Sequence, residues 1–379
     1  MHTKVKKVAC FTFFFFAFLF LSSLAIAEER EGIDWIAFPT FEGNSDAGFT
    51  YGAQASIIDY GRLEDAFIWE LRANVSNSTL NRQHHKLFFD APKLFDRSGL
   101  FLQFEFLKIE DANWFGLSEI SRSPQDTFFN FALTEPSLEI FVSQQNKEGV
   151  FWGGGLKARL AFTDLPQRSQ LNEDKPLGYD GDRAMVAVLS AGLNHVDNPF
   201  TPRSGVYFES YLKASLAPIS TFTWAGFGFN TALYFPLWAL KDPETLSPLV
   251  FAQRFMFESL HGDVPFSELM RIGGSRTFRA LGGVFSQRGF AENRFAGSSK
   301  FLSNSELRAY FPPLFGDLAL GLVGFVDLSK TLSLPDPSPF NPSYGGGLTV
   351  AWKDAFLFRM DYGLSAEGSE FYVEGKHLF

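Results

Sequence analysis

The residues of this chain that could do chemistry are mostly charged, and the most conspicuous cations sit together. Arg271, Arg276, Arg279, Arg288 and Arg294 fall within residues 259–302, among Gly273-Gly274, Gly282-Gly283 and Gly289. A guanidinium binds carboxylates bidentately. A Gly-rich segment with this many arginines therefore predicts an ordered loop that carries its cations to acidic partners. Enzyme chemistry leaves weaker marks. The chain contains no G-x-S-x-G elbow, no H-E-x-x-H helix and no G-x-x-x-x-G-K phosphate loop. His84 and His85 are adjacent, and adjacent strand residues face opposite ways, so the pair forms no shared metal site by itself. Barrel lipases place Ser and His on their outer wall. His195 and His377 are the strand histidines to compare with them, and nothing marks a serine partner. The reading is of a non-enzymatic protein with no metal or other cofactor.

The elements that position these residues begin with a leader. Lys4, Lys6 and Lys7 precede an apolar run from Val8 to Leu21, and Ala25-Ile26-Ala27 closes it with small residues. Basic, apolar, then small is the layout of a secretory signal peptide, and the run is short for a membrane helix. Setting residues 1–27 aside leaves 379 − 27 = 352 residues for the fold, 28–379. The one cysteine, Cys10, lies in the leader, so the remainder can form no disulfide and no thiolate metal site. Without the three leader lysines, 30 basic residues face 42 acidic ones. That balance argues against a nucleic-acid partner, which needs a basic footprint, and suits a secreted or cell-surface protein.

Most of the remainder alternates with period two. Phe67, Trp69, Leu71, Ala73 and Val75 share a face opposite Glu70, Arg72 and Asn74. Val206, Phe208, Leu212 and Ala214 oppose Tyr207, Glu209, Lys213 and Ser215. Phe356, Phe358, Met360 and Tyr362 oppose Arg359, Asp361 and Gly363. Period two means strand. The segments run to about ten residues, enough to cross a bilayer at a tilt, and their polar face carries charge in mid-strand. With 47 Phe in the chain, the alternation reads as a wall with lipid outside and water inside. Candidate strands run from 48–58 to 370–379, with 128–133 and 136–145 as separate strands, and total about sixteen, the even number of a bacterial barrel. The predicted fold is all-β: a transmembrane antiparallel β-barrel, with 163–183 as a surface loop and 259–302 as a long loop folded into the lumen. Backbone groups in lipid must all be paired, so the sheet has to close. Phe379, on a face with Phe371 and Val373, resembles the C-terminal assembly signal of outer-membrane barrels.

Several segments together resemble the bacterial surface antigen family, the barrel half of the outer-membrane assembly factors BamA and TamA. Asp197-Asn198-Pro199-Phe200-Thr201-Pro202-Arg203-Ser204-Gly205 resembles the family's D-N-P-x-x-P-T-x-G turn. Gly273-Gly274-Ser275 followed by Phe278-Arg279-Ala280-Leu281 resembles its G-G-S and V-R-G-F/Y run. Ser305-Glu306-Leu307-Arg308, Gly324-Phe325-Val326-Asp327 and Arg359-Met360-Asp361-Tyr362-Gly363 resemble its E-[LFY]-R, F-V-D and R-x-D-Y-G strands. These cover about the last half of the chain; Asn113-Trp114-Phe115-Gly116-Leu117 extends the resemblance more faintly into the first. The resemblance implies a loop arginine inserted in the lumen against wall acids. By motif alignment this is Arg279 with Glu306 and Asp327. Arg288-Gly289-Phe290 is the alternative, matching the letters better and the distance from the glycine pair worse. Ala280 and Leu281 depart from the family's Gly and aromatic. The first candidate strand starts about twenty residues after the cleavage site, so the chain looks like a barrel-only member without periplasmic domains. The implied role is non-enzymatic, in outer-membrane assembly or organisation, with a passive outer-membrane channel as the alternative. The implied partners are outer-membrane lipids and lipopolysaccharide, the barrel assembly machinery during biogenesis, and a second copy of the chain.

Overall fold

Period-two segments pair into one antiparallel sheet that closes on itself. The computed structural model describes residues 32–61, 67–95, 98–117, 127–198, 201–238, 249–275, 278–279, 281–311, 318–332, 339–352, 356–375 and 377–379; the leader 1–27 lies outside them. The strands are Ile33–Asn44 (β1), Gly48–Asp59 (β2), Trp69–Ser78 (β3), Gln83–Phe95 (β4), Ser98–Asn113 (β5) and Asn130–Gln145 (β6). They continue with Val150–Asp164 (β7), Asp182–Val196 (β8), Gly205–Ser215 (β9), Trp224–Trp238 (β10) and Leu249–Gly262 (β11). A small hairpin, Arg271–Ile272 (β12) with Phe278–Arg279 (β13), precedes Ser299–Tyr310 (β14), Leu318–Thr331 (β15), Asn341–Trp352 (β16), Phe356–Ser365 (β17) and Gly368–Glu374 (β18). Two short helices lie in connections: Gln170–Asp174 (α1) and Phe266–Leu269 (α2). All strands but β12 and β13 form a closed barrel, each paired with its neighbour in sequence and β1 with β18.

The strand count matches the sequence reading because two errors offset each other. β1 was not expected: its inner face mixes Ile36 and Phe38 with Asp34, Thr40 and Glu42, and Pro39 interrupts the outer one, so the alternation is weak. Residues 128–133 and 136–145 were expected as two strands and are one, β6. Pro136 lies where the β6–β7 pairing lapses, between Thr134↔Phe162 and Ser137↔Arg159, with the register the same on either side. Proline is tolerated at such an irregularity because it removes a donor the ladder is not using there.

The outer wall is apolar. Leu189, Leu212, Leu138 and Phe162 are each more than half exposed, far beyond what a water-facing surface would leave uncovered. The inner wall is polar and buried, with Glu209, Arg254, Glu258, Lys300, Arg308 and Asp361 all nearly inaccessible. The long connections 114–129, 165–181 and 263–298 leave from one end of the barrel, which marks that end as the cell-surface side.

Candidate functional site

The lumen is filled by residues 263–298, the connection between β11 and β14. Its boundaries are narrower than 259–302 because the two flanking strands extend further. Every residue from Val264 to Gly274 is buried, as are Ser286 through Ala291. Glycine lets the loop approach the wall closely. A Cβ on Gly274 would stand 2.4 Å from the Tyr211 ring. Gly289 adopts φ +89° and its N–H donates to the Tyr372 hydroxyl at 3.0 Å. Across from it, a Cβ on Gly363 would meet the Gly289 nitrogen at 2.6 Å.

That close contact seats Arg288 among three wall strands. Its Nε and Nη2 each donate to Asp327 at 2.8 Å, a bidentate pair. Its Nη1 donates to Glu306 at 2.7 Å and to Asp361 at 3.0 Å, and its backbone N–H donates to Asp327 at 3.1 Å. The Phe325 ring lies 3.5 Å from the guanidinium carbon. Arg288, Glu306 and Asp327 are wholly buried. Arg308 braces Glu306 at 2.8 Å, Arg359 braces Asp361, and Asn304 donates to Asp327 at 2.8 Å.

The acids expected around Arg279 are thus engaged by Arg288. Arg279 lies in the β12–β13 hairpin, opposite Arg271 in register, and its side chain falls outside the described ones. The distance from the glycine pair was the wrong guide to the arginine that these acids engage. The path between Gly274 and Arg288 holds a hairpin and a turn, so the arginine is reached later. The letters Arg-Gly-Phe were the better signal, because the glycine beside the arginine is what permits contact with Gly363. Asp361, the third acid, was legible as a motif residue and was not assigned to the loop.

A second ionic network, which sequence reasoning missed, holds the start of the loop. Arg159 on β7 reaches Asp182 on β8 at 3.0 Å and Glu268 on α2 at 3.1 Å. Glu258 on β11 takes Lys213 at 2.7 Å and Lys300 at 3.1 Å, and also accepts from the Gly273 N–H at 3.2 Å. Arg271 donates to Glu135 at 2.6 Å. Burial would raise the Glu268 carboxyl, but Arg159, Lys213 and Arg271 outweigh it and hold the pKa at about 2. No short motif marks these groups, since each comes from a different element.

A third contact ties the loop to the turns at the cell-surface end. Arg82 in the β3–β4 turn donates to Glu292 at 2.6 Å and 3.0 Å. The Glu292 N–H donates to Asp46 in the β1–β2 turn at 3.0 Å. Burial, then the charges of Glu292 and Glu370, push the Asp46 carboxyl up to about 8. Beside it, the Phe371 N–H of β18 donates to the Ser45 hydroxyl at 3.2 Å.

The last strand departs from expectation. β18 ends at Glu374, where residues 370–379 were predicted as strand. Phe379 does not share the outer face with Phe371. It turns into the lumen, stacks on Tyr234 at 6.2 Å, and lies under the guanidinium groups of Arg254 and Arg308, each at 5.1 Å. His377 is buried with Nε2 3.2 Å from the Tyr310 hydroxyl. An aromatic ring between two arginines gains cation–π energy that an outward position in lipid cannot supply. The consequence is a short seam. Among the described residues β1 pairs with β18 at Gly43↔Val373 and Asn44↔Tyr372, against twelve residue pairs from Ile33 to Asn44 on its β2 side.

His84 and His85 do face opposite ways, His84 onto Glu105 at 2.6 Å and His85 onto the Phe106 ring.

Comparison with known proteins agrees with this architecture. The Omp85 superfamily domain matches residues 113–372. A search of curated proteins finds no match. Among solved structures, BamA from Haemophilus ducreyi lacking POTRA domains 1–3 is similar with a TM-score of 0.61 at 16% identity, covering 92% of this chain and 71% of that one. CdiB from Escherichia coli is similar with a TM-score of 0.61 at 11% identity, covering 92% and 63%. CdiB from Acinetobacter baumannii has a TM-score of 0.51 at 10% identity, covering 91% and 60%. The chain thus spans under two thirds of the CdiB structures it resembles. At these identities the likeness is one of fold, and the superfamily match over most of the barrel carries the assignment: the chain belongs to the Omp85 superfamily and is a β-barrel of the bacterial outer membrane.

Proposed function

We propose that this barrel serves outer-membrane assembly or organisation by opening its seam, with Arg288 holding the lumen loop in place as the strands part. The observation that carries the reading is the two-pair contact between β1 and β18. From Ile33 to Glu42, β1 has no strand partner on its seam side among the described residues. Unpaired backbone is expensive in lipid, and an open edge is a template for an incoming strand. Pro39 in β1 fits an edge position, since it offers no N–H to a neighbour. The lock, by contrast, ties β14, β15 and β17 to the loop and braces the wall on the β18 side of the seam. On this reading the partners are outer-membrane lipids and lipopolysaccharide, the assembly machinery that inserts the barrel, and a second copy meeting it through the Phe-rich outer wall.

The test is a reversible staple. Cysteines at Gly43 and Val373, which face each other in register, would close the seam on oxidation. In proteoliposomes supplied with a small unfolded barrel client, oxidation should stop client insertion and reduction should restore it, with the heat-modifiable gel shift unchanged. Insertion that proceeds equally through a stapled seam would refute the proposal.

A further inference from the structure

The lumen explains the loop, but one pair of groups on the outer wall belongs to none of the networks above. Along β11, Arg254, Met256, Glu258 and Leu260 are buried toward the lumen, and Phe255, Phe257, Ser259 and His261 take the other face. Ser259 Oγ lies 3.0 Å from His261 Nε2 and 2.8 Å from Ser299 Oγ on β14. We propose that Ser259 and His261 are a nucleophile and general base that hydrolyse an acyl ester of an outer-leaflet lipid. This goes beyond the assembly reading and does not depend on it.

The geometry has three parts. First, a spacing of two along a strand puts both side chains on one face within hydrogen-bond reach, the arrangement an activated serine requires. The imidazole is held in orientation by Phe227 on β10, whose ring stacks on it at 6.3 Å and 14°. Second, the depth suits an ester. On this face Gln253 bonds Ser303 and Ser305 among the phenylalanines lower down, Phe255 and Phe257 follow, and Ser259, itself buried among its neighbours, comes next, three residues from the cell-surface end of β11 at Gly262. That is the boundary between hydrocarbon and headgroup, where the ester carbonyls of a bilayer lie. Third, the surroundings suit a lipid. Phe257 and Phe301, opposite each other in register, and Phe227 beside them offer a surface for an acyl chain. Lys330, opposite Phe301 on β15, carries its ammonium 5.1 Å over the Phe340 ring, where a lipid phosphate would meet a cation.

The chemistry balances with water as the co-reactant. Ser259 Oγ attacks the ester carbonyl carbon as its proton passes to His261 Nε2, and the Ser299 hydroxyl is close enough to donate to the developing oxyanion. The carbon–oxygen bond to the lipid alcohol breaks, and His261 returns the proton to that oxygen. Water then adds to the acyl-serine with His261 as base, releasing a fatty acid and restoring Ser259. A pair of this kind is invisible in sequence, where it reads only as Ser-Leu-His.

The experiment uses barrel purified from outer membranes in detergent, offered lipopolysaccharide in one arm and phosphatidylethanolamine vesicles in the other. Released fatty acid is measured by mass spectrometry. Release is expected in at least one arm, which identifies the source, and should fall about 100-fold or more in Ser259→Ala and in His261→Ala. Both side chains face away from the lumen, so both variants should keep the wild-type gel shift. A fluorophosphonate probe should label the unaltered protein and not Ser259→Ala. No release from either lipid, or release undiminished in Ser259→Ala, overturns the proposal.

Discussion

Arg288 sits with Asp327, Glu306 and Asp361 in a site closed to water. An ion pair there gains little over a well-packed apolar substitute, but removing one partner leaves uncompensated charge, at a typical cost of about 3–5 kcal/mol. Arg288→Ala should therefore release the loop and lower the temperature at which the barrel unfolds on a gel. Arg288→Lys should fare little better, because an ammonium cannot make the bidentate contact to Asp327. Arg279→Ala should leave that temperature near the wild-type value; an equal drop would show that the hairpin arginine shares the lock. The site residues Glu306 and Asp327 were legible through the motifs that resemble the family, and strand alternation sets them opposite Leu307 and opposite Val326 and Leu328. The choice between two arginines was not, because a loop has no period from which to compute where a side chain points.

Among elements, the loop, the β1–β2 turn and β18 meet at the cell-surface end of the seam. Asp46 is the titrating member, with a carboxyl at about 8 in place of the ordinary 3.8. An acid whose pKa is raised by folding is protonated in the folded chain while the unfolded chain is already ionised. Its contribution is absent below about 4, becomes unfavourable as pH rises through 4 to 8, and is complete above 8. Above that point a negative Asp46 faces Glu292 and Glu370, with Arg82 left as the nearby compensating cation. Burial would lower the Arg82 pKa, but Glu292 outweighs it and keeps the guanidinium charged throughout. The protection of residues 281–297 against hydrogen exchange, corrected for the base-catalysed rise of the intrinsic rate, should fall between pH 6 and 9, and Asp46→Asn should abolish that fall. An Asp46→Asn protein that retains the full pH dependence would assign it to another group.

For the whole molecule, three ionic contacts fix one loop to nearly every sector of the wall. Arg159, Glu135, Lys213 and Glu258 hold its beginning, Glu306, Asp327 and Asp361 hold its middle, and Arg82 and Asp46 hold its end. A further pair, Arg294 with Glu367 at 2.6 Å, reaches the β17–β18 turn. A lumen occupied in this way is expected to pass no steady current, so planar-bilayer recordings should show silence or brief flicker. Large stable openings would favour the passive channel over the assembly reading. Replacing residues 263–298 with a short turn should convert silence into steady conductance, because the side chains that fill the pore go with the loop.

Period-two alternation in segments long enough to cross a bilayer, with charge in mid-strand and a secretory leader ahead of them, determined the barrel. Side chains of successive strand residues must point to opposite faces, so a lipid-facing wall and a polar lumen write themselves into the order of residues. The local rule weakens where one face mixes polar and apolar residues, as in β1, and fails where the chain leaves the ladder, as at Phe379. Which arginine meets which acid, where the seam is short, and which serine finds a histidine were decided only in three dimensions. Each depends on groups from separate strands, whose distances are set by sheet closure and loop path and by no spacing along the chain.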